Sequence, residues 1–210
     1  MLNRIVMTAA FLAASSVVLA QTQASSPERP AKAGDVHVYK GEARHEGKSF
    51  EETVTVVSAD AEFIRTRHVR TDRPETGEGI YGRDWATTKS GSSGMQMDPP
   101  SKTLQMPLAV GKTWEAGYMG TTATGFKIRV KVDSTVAAQE RLKTPAGEFD
   151  TWRVESRGYI NPASGPGGWA IVQKVWYAPA IDRIVRLEYR EQRSLGVDSI
   201  VELKEFRPAP

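Results

Sequence analysis

The sequence predicts an all-β protein: a single antiparallel curved sheet that closes into a barrel or half-barrel. Three features predict it. Apolar residues recur with period two, which puts alternate side chains on opposite faces of an extended strand. Turn-forming residues punctuate these runs at hairpin spacing. No stretch between them carries the 3.6-residue period of an amphipathic helix. Ten or so short strands with no helices between them are the pattern of an all-β domain.

The first segment is read apart from the fold. Met1 to Arg4 form a short positive start, an apolar run reaches Leu19, and Val18-Leu19-Ala20 offers compact residues for cleavage after Ala20, as in a secretory signal peptide. The run is shorter than the ~20 residues of a spanning helix and contains Ser15 and Ser16, so it is expected to be removed and to leave no membrane span. No cysteine follows it, which excludes lipid attachment through a thiol. Residues 21–34 are rich in Ser, Pro, Ala and Gln and read as a flexible leader, because they bury too little to offset the entropy of ordering. One β domain is expected over 35–207, with a short tail at 208–210.

Within the domain, strands are expected over 36–43, 50–57, 63–69, 80–85, 113–118, 169–177 and 199–206. Three further runs show the alternation most clearly. Phe126, Ile128, Val130 and Val132 point inward against Lys127, Arg129, Lys131 and Asp133. Trp152 and Val154 oppose Arg153 and Glu155, and Val185, Leu187 and Tyr189 oppose Arg186, Glu188 and Arg190. Charges of both signs on the outer face set register more than stability. His45-Glu46-Gly47-Lys48 and Thr144-Pro145-Ala146-Gly147 supply hairpin turns; in the second, Pro145 presets φ and Gly147 suits the left-handed position of a bulged hairpin. Residues 89–107 and 161–168 read as long loops, rich in Gly and Pro.

The segment Lys143-Thr144-Pro145-Ala146-Gly147-Glu148-Phe149-Asp150-Thr151-Trp152 resembles the central hairpin of exported bacterial β-proteins in families of unknown function. Pro107-Leu108-Ala109-Val110-Gly111-Lys112-Thr113-Trp114 matches their strand start, and Trp176-Tyr177-Ala178-Pro179 their corner. The likeness spans about residues 107–189. It implies a curved antiparallel sheet or open barrel and brings no catalytic residues with it. Asp182 stands where the resemblance puts a glycine.

Composition narrows the function. The chain has 210 residues and a net charge of +3, which becomes +2 without Arg4, and its basic residues alternate with acidic and apolar ones instead of forming a stripe. Nucleic acid is therefore not an expected partner. The absence of cysteine excludes disulfides, thiolate metal sites and a cysteine nucleophile. No G-x-S-x-G elbow or S-x-x-K is present; Gly91-Ser92-Ser93-Gly94-Met95 fails at its last position. His37, His45 and His68 lack metal-ligand spacing and read as ordinary surface or edge residues, so no metal and no cofactor are expected. Glu51 and Glu52 point to opposite faces of one strand.

The aromatic residues carry the remaining signal. Trp85, Trp114, Trp169, Trp176 and Tyr177 either fill the interior of a curved sheet or line a pocket for an apolar or amphiphilic molecule. Trp169, directly after a Gly-rich loop, is the candidate for a rim. The expected protein is a periplasmic or secreted, non-enzymatic envelope protein that holds such a ligand. The alternatives are a hydrolase built from the long loops, marked by a polar cleft with a histidine bonded to a carboxylate, and an interaction module that pairs a free sheet edge.

Overall fold

Side chains of alternating character fold this chain into strands because one face of each can be buried while the other stays wet. The computed structural model describes residues 27–73 and 75–210; the predicted signal peptide lies outside them, as do residues 21–26 of the leader. The strands are β1 (Val36–Ala43), β2 (Lys48–Ala59), β3 (Phe63–Arg70), β4 (Thr76–Gly82), β5 (Thr87–Lys89), β6 (Gln96–Ser101), β7 (Thr113–Thr121), β8 (Lys127–Thr144), β9 (Gly147–Pro162), β10 (Trp169–Ala178), β11 (Arg183–Gln192) and β12 (Asp198–Arg207). Each pairs antiparallel with its sequence neighbours, and β1 pairs with β12. The expected sheet is thus a closed twelve-stranded meander, and closure uses the edges that an open sheet would leave.

Phe50, Glu52, Val54 and Val56 face inward on β2, as do Ile64, Thr66 and His68 on β3 and Ile128, Val130, Ser134 and Val136 on β8. The outer face of β8 carries Lys127, Arg129, Lys131 and Asp133. Phe126, expected inside, is exposed, because it precedes the strand and sits in the turn where Thr122 N–H donates to its carbonyl. Trp85, expected at a strand end, lies beyond β4 in a turn with φ +61°. The loop expected over 89–107 contains β6, whose Pro99 and Pro100 masked it because proline removes ladder donors.

The β8–β9 hairpin is much longer than its alternation indicated. A bulge between Val136 and Ala138 breaks the period-two pattern there, yet pairing continues to Thr144 and Gly147. Beyond the bulge, the tip reaches past the end of β10. Leu142, Ala146 and Phe149 pack on a cluster that includes Trp176, Ile181, Val185 and Leu203. Ala146 N–H donates to the Leu203 carbonyl at 3.3 Å, just past the point where β11 and β12 stop pairing at Arg186 and Glu202. The tip closes a gap in the wall.

Twelve strands enclose more space than ordinary side chains fill; eight already leave an interior just wide enough. The extra volume here is taken up by aromatic side chains and by chain segments. Residues 27–34, read as flexible leader, are docked on the barrel: Ala31 is buried, Glu28 N–H donates to Pro179 O, and Arg29 forks onto Asp35 at 2.7 and 2.8 Å. The tail is held too, with Ala209 N–H donating to Asp35 at 2.8 Å.

Candidate functional site

Two inward carboxylates organise the polar part of the interior. The first is Glu52, which shares the inward parity of Phe50 and Val54 while Glu51, on the opposite face, pairs with Lys204. Val54 stands opposite His68, so Glu52 is its diagonal neighbour, within reach of a long side chain. Glu52 Oε1 lies 2.9 Å from His68 Nδ1 and accepts the Ser92 hydroxyl at 2.7 Å. On the other side of the ring, Nε2 lies 2.8 Å from the Thr66 hydroxyl and 3.4 Å from that of Tyr81. Burial alone would push the Glu52 carboxyl up, but the hydrogen bonds from His68 and Ser92, with Arg70 nearby, hold it below the ordinary glutamate value.

Hydroxyl, imidazole and carboxylate stand here in the order of a nucleophile, base and orienter. No substrate reaches them in this conformation. Thr66 is 0% exposed, His68 4% and Glu52 5%. The seal is made of glycine: a Cβ on Gly91 would fall 2.0 Å from the His68 ring, and one on Gly77 would fall 1.8 Å from the Gly91 carbonyl. The 90–94 loop can therefore lie against the ring only because both positions lack side chains. His37 and His68, expected at surfaces or edges, are both buried, since each shares the inward parity of its strand.

The second carboxylate, Asp182, has φ +49° at the end of a 3-10 turn over Pro179–Ile181. Its Oδ1 accepts from Trp85 Nε1 at 2.8 Å and from the Tyr177 hydroxyl at 2.7 Å, and its Oδ2 from Ala31 N–H at 3.1 Å. Aspartate tolerates the left-handed conformation better than most residues, so the corner where glycine was expected holds together and gains a buried acceptor. Arg183 follows; its guanidinium lies 4.3 Å from the Trp85 ring, and its Nε donates to the Tyr39 hydroxyl at 2.9 Å.

The five aromatic candidates divide among three clusters. Trp85, Trp114 and Tyr177 pack with Trp152 in one; Trp176 belongs to the second, under the hairpin tip; Trp169 lies against the third, beside Ile128, Val130, Ile160 and Ile171. All but Trp169 are buried. Trp114 Nε1 donates to Lys102 O at 3.0 Å and Trp176 Nε1 to Glu140 at 2.6 Å. Trp169 lies under the Arg193 guanidinium at 3.8 Å, and its indole N–H has no partner among the described residues. Sequence reading missed Glu52, Thr66, His68 and Ser92. The parity of their strands was the available signal for the first three, and none existed for Ser92.

Cavities of about 330 and 630 Å³ open on the outer face, not the inner one. The smaller is walled by the outward residues Glu155, Arg157, Val172, Lys174, Glu188 and Arg190. The larger follows the short β5–β6 seam, with Ile80 and Met119 on its floor.

A closed antiparallel meander, mainly apolar on its buried face and charged outside, defines the class: an up-and-down β-barrel with the facing reversed from that of a membrane-spanning one. Within that class, the chain is similar in fold to a lipoprotein candidate from Parabacteroides distasonis, with a TM-score of 0.56 at 14% identity over 88% of this chain and 100% of that one. An exported-protein candidate with a YmcC-like fold from Bacteroides fragilis gives 0.46 at 13% identity over 85% and 97%. The hypothetical lipoprotein YmcC from Escherichia coli gives 0.47 at 12% identity over 82% and 84%. At these identities the likeness is one of fold alone. No family profile matches the chain, and no curated protein is significantly similar to it in sequence.

Proposed function

We propose that the chain is a non-enzymatic exported protein of the bacterial envelope, periplasmic or secreted, which meets its partners through its outer surface. The observation that carries this reading is the filling of the barrel: Leu104, Leu108, Val136 and Tyr177 are fully buried, and the His68 relay is sealed beneath the 90–94 loop. The export part is supported by the signal-like character of residues 1–20, and by the likeness in fold to the lipoprotein candidate from Parabacteroides distasonis.

The packing of Trp85, Trp114, Trp152 and Tyr177 against one another in the interior favours this reading over an internal carrier. Hydrolysis has one observation in its favour, the histidine bonded to a carboxylate, but Thr66, His68 and Glu52 are all buried beneath the 90–94 loop. Native mass spectrometry of the protein released from its own envelope, without detergent, tests the reading. The expected species is the bare chain beginning at Gln21. A stoichiometric apolar molecule on it would replace this reading with the carrier, and retention of Met1 would remove export.

A further inference from the structure

The β11–β12 turn presents an unfavourable arrangement that the fold does not explain. Leu195 is 95% exposed and has φ +56°, a conformation in which a branched apolar side chain is strained. Both features raise the free energy of the free protein. Val197 in the same turn is exposed as well.

The topology gives this turn particular neighbours. In a meander every second turn lies at the same end, so the turns at 122–126, 163–168 and 193–197 sit side by side on one rim. Phe126, 48% exposed, is on the first. Trp169 begins the strand after the second, with Arg193 of the third stacked on its face. Trp169 itself packs inward on Ile128, Val130, Ile160 and Ile171, so it anchors the rim from inside while Arg193 covers its face.

Below this rim, the adjoining end of the outer face of β8 and β9 is basic, as far as Asp133 and Glu155. Lys127, Arg129, Lys131 and Arg157 are exposed, and none forms an ion pair or side-chain hydrogen bond among the described residues. The register brings them together: Arg129 faces Asn161, Lys131 faces the exposed Tyr159, and Arg157 faces Asp133, the one acid in this group. Elsewhere on the wall the pattern differs; Arg153, Arg186 and Lys204 each meet a glutamate.

We propose that this rim and the adjoining face of β8 and β9 dock on an anionic lipid bilayer, with Leu195 and Phe126 entering the headgroup layer and the four free cations over lipid phosphates. The proposal rests on the outer-surface reading above and names the partner. Apolar tips supply burial and the cations supply attraction, the two contributions that hold peripheral proteins at a membrane surface. Each basic residue near such a surface strengthens binding about fivefold at low salt.

Cosedimentation of the exported chain with vesicles tests this. Phosphatidylcholine–phosphatidylglycerol vesicles should bind it at low salt, pure phosphatidylcholine vesicles much less, and added salt should release it. Leu195→Asp should weaken binding about tenfold or more through lost apolar burial. The double variant Lys127→Gln/Lys131→Gln should weaken it about twenty-fivefold. Neither should lower the melting midpoint, since the altered side chains are exposed and aspartate tolerates the positive φ at 195 better than leucine. Absent or lipid-independent binding overturns the proposal. So does a Leu195→Asp protein that binds like the parent while the lysine variant does not, because the face would then recognise soluble polyanions instead of a bilayer. The mass-spectrometric result on export and bound ligand stands apart from each of these outcomes.

Discussion

Asp182 shows how much one side chain holds in this barrel. Three donors converge on its carboxylate from residues far apart in sequence: the Trp85 indole, the Tyr177 hydroxyl and the Ala31 amide. Replacement by alanine would strand all three in the interior, and each unsatisfied buried donor costs about 1–3 kcal/mol. Asp182→Ala should therefore destabilise the protein by roughly 3–5 kcal/mol, allowing for partial relaxation. Asp182→Gly separates backbone from carboxylate, since it removes the strain at φ +49° and still loses the acceptor. Urea denaturation of both should show two destabilised proteins. Parent-like stability in the glycine variant would mean that the residue serves only the bend.

At the scale of the element, the β8–β9 hairpin is where local chemistry and long-range packing meet. Gly147 opens β9 with φ +133°, and a Cβ placed there would meet nothing within 4 Å. Space is open, so any penalty comes from the backbone alone. Gly147→Val should lower stability by roughly 1–3 kcal/mol, read as a reduced denaturation midpoint. An unchanged midpoint would show that the turn adopts another conformation at no loss. The turn was legible in the sequence because Pro145 and Gly147 act on their own backbone. The length of the hairpin was not, because the bulge at Val136 shifts the phase of burial and its continuation is stabilised by Trp176 and Leu203 on other strands.

For the whole molecule, buried titratable groups make the barrel sensitive to acid. His37 is 1% exposed, stacks on Phe206 with ring centroids 4.9 Å apart, and has its pKa pushed down to about 3, first by burial and then by the Arg183 charge. Between its unfolded value of 6.5 and about 3, the unfolded chain takes up a proton that the folded one refuses. Stability attached to this group is therefore lost as pH falls through that window, by up to ~1.4 kcal/mol per pH unit. Asp35 acts in the same direction at lower pH. Burial would raise its carboxyl, but Arg29 and the amides of Ala209 and Lys32 hold it at about 2, so its contribution is present above 3.8 and lost as pH falls toward 2. Unfolding free energies measured from pH 7 to 4 should decline, and His37→Leu should flatten that decline. An equal slope in the variant would assign the acid sensitivity to other groups.

The sequence by itself determined the all-β class, the antiparallel order, the inward parity of Trp152, Val154, Val130 and Val185, and the turns at Gly47 and Gly147. These depend on interactions within one strand or one hairpin, which period and turn chemistry encode directly. Only the tertiary structure decided that β12 returns to β1, that β5 and β6 complete the wall, and that the aromatics fall into three clusters. It also decided the partners of Glu52, His68 and Asp182. Ser92 lies 40 residues from Glu52, and Ala31 lies 151 from Asp182, so their contacts exist only once the barrel has closed. A single strand shows which face a side chain takes, whereas the neighbour it meets across the interior depends on strand number, register and closure, which are properties of the whole sheet.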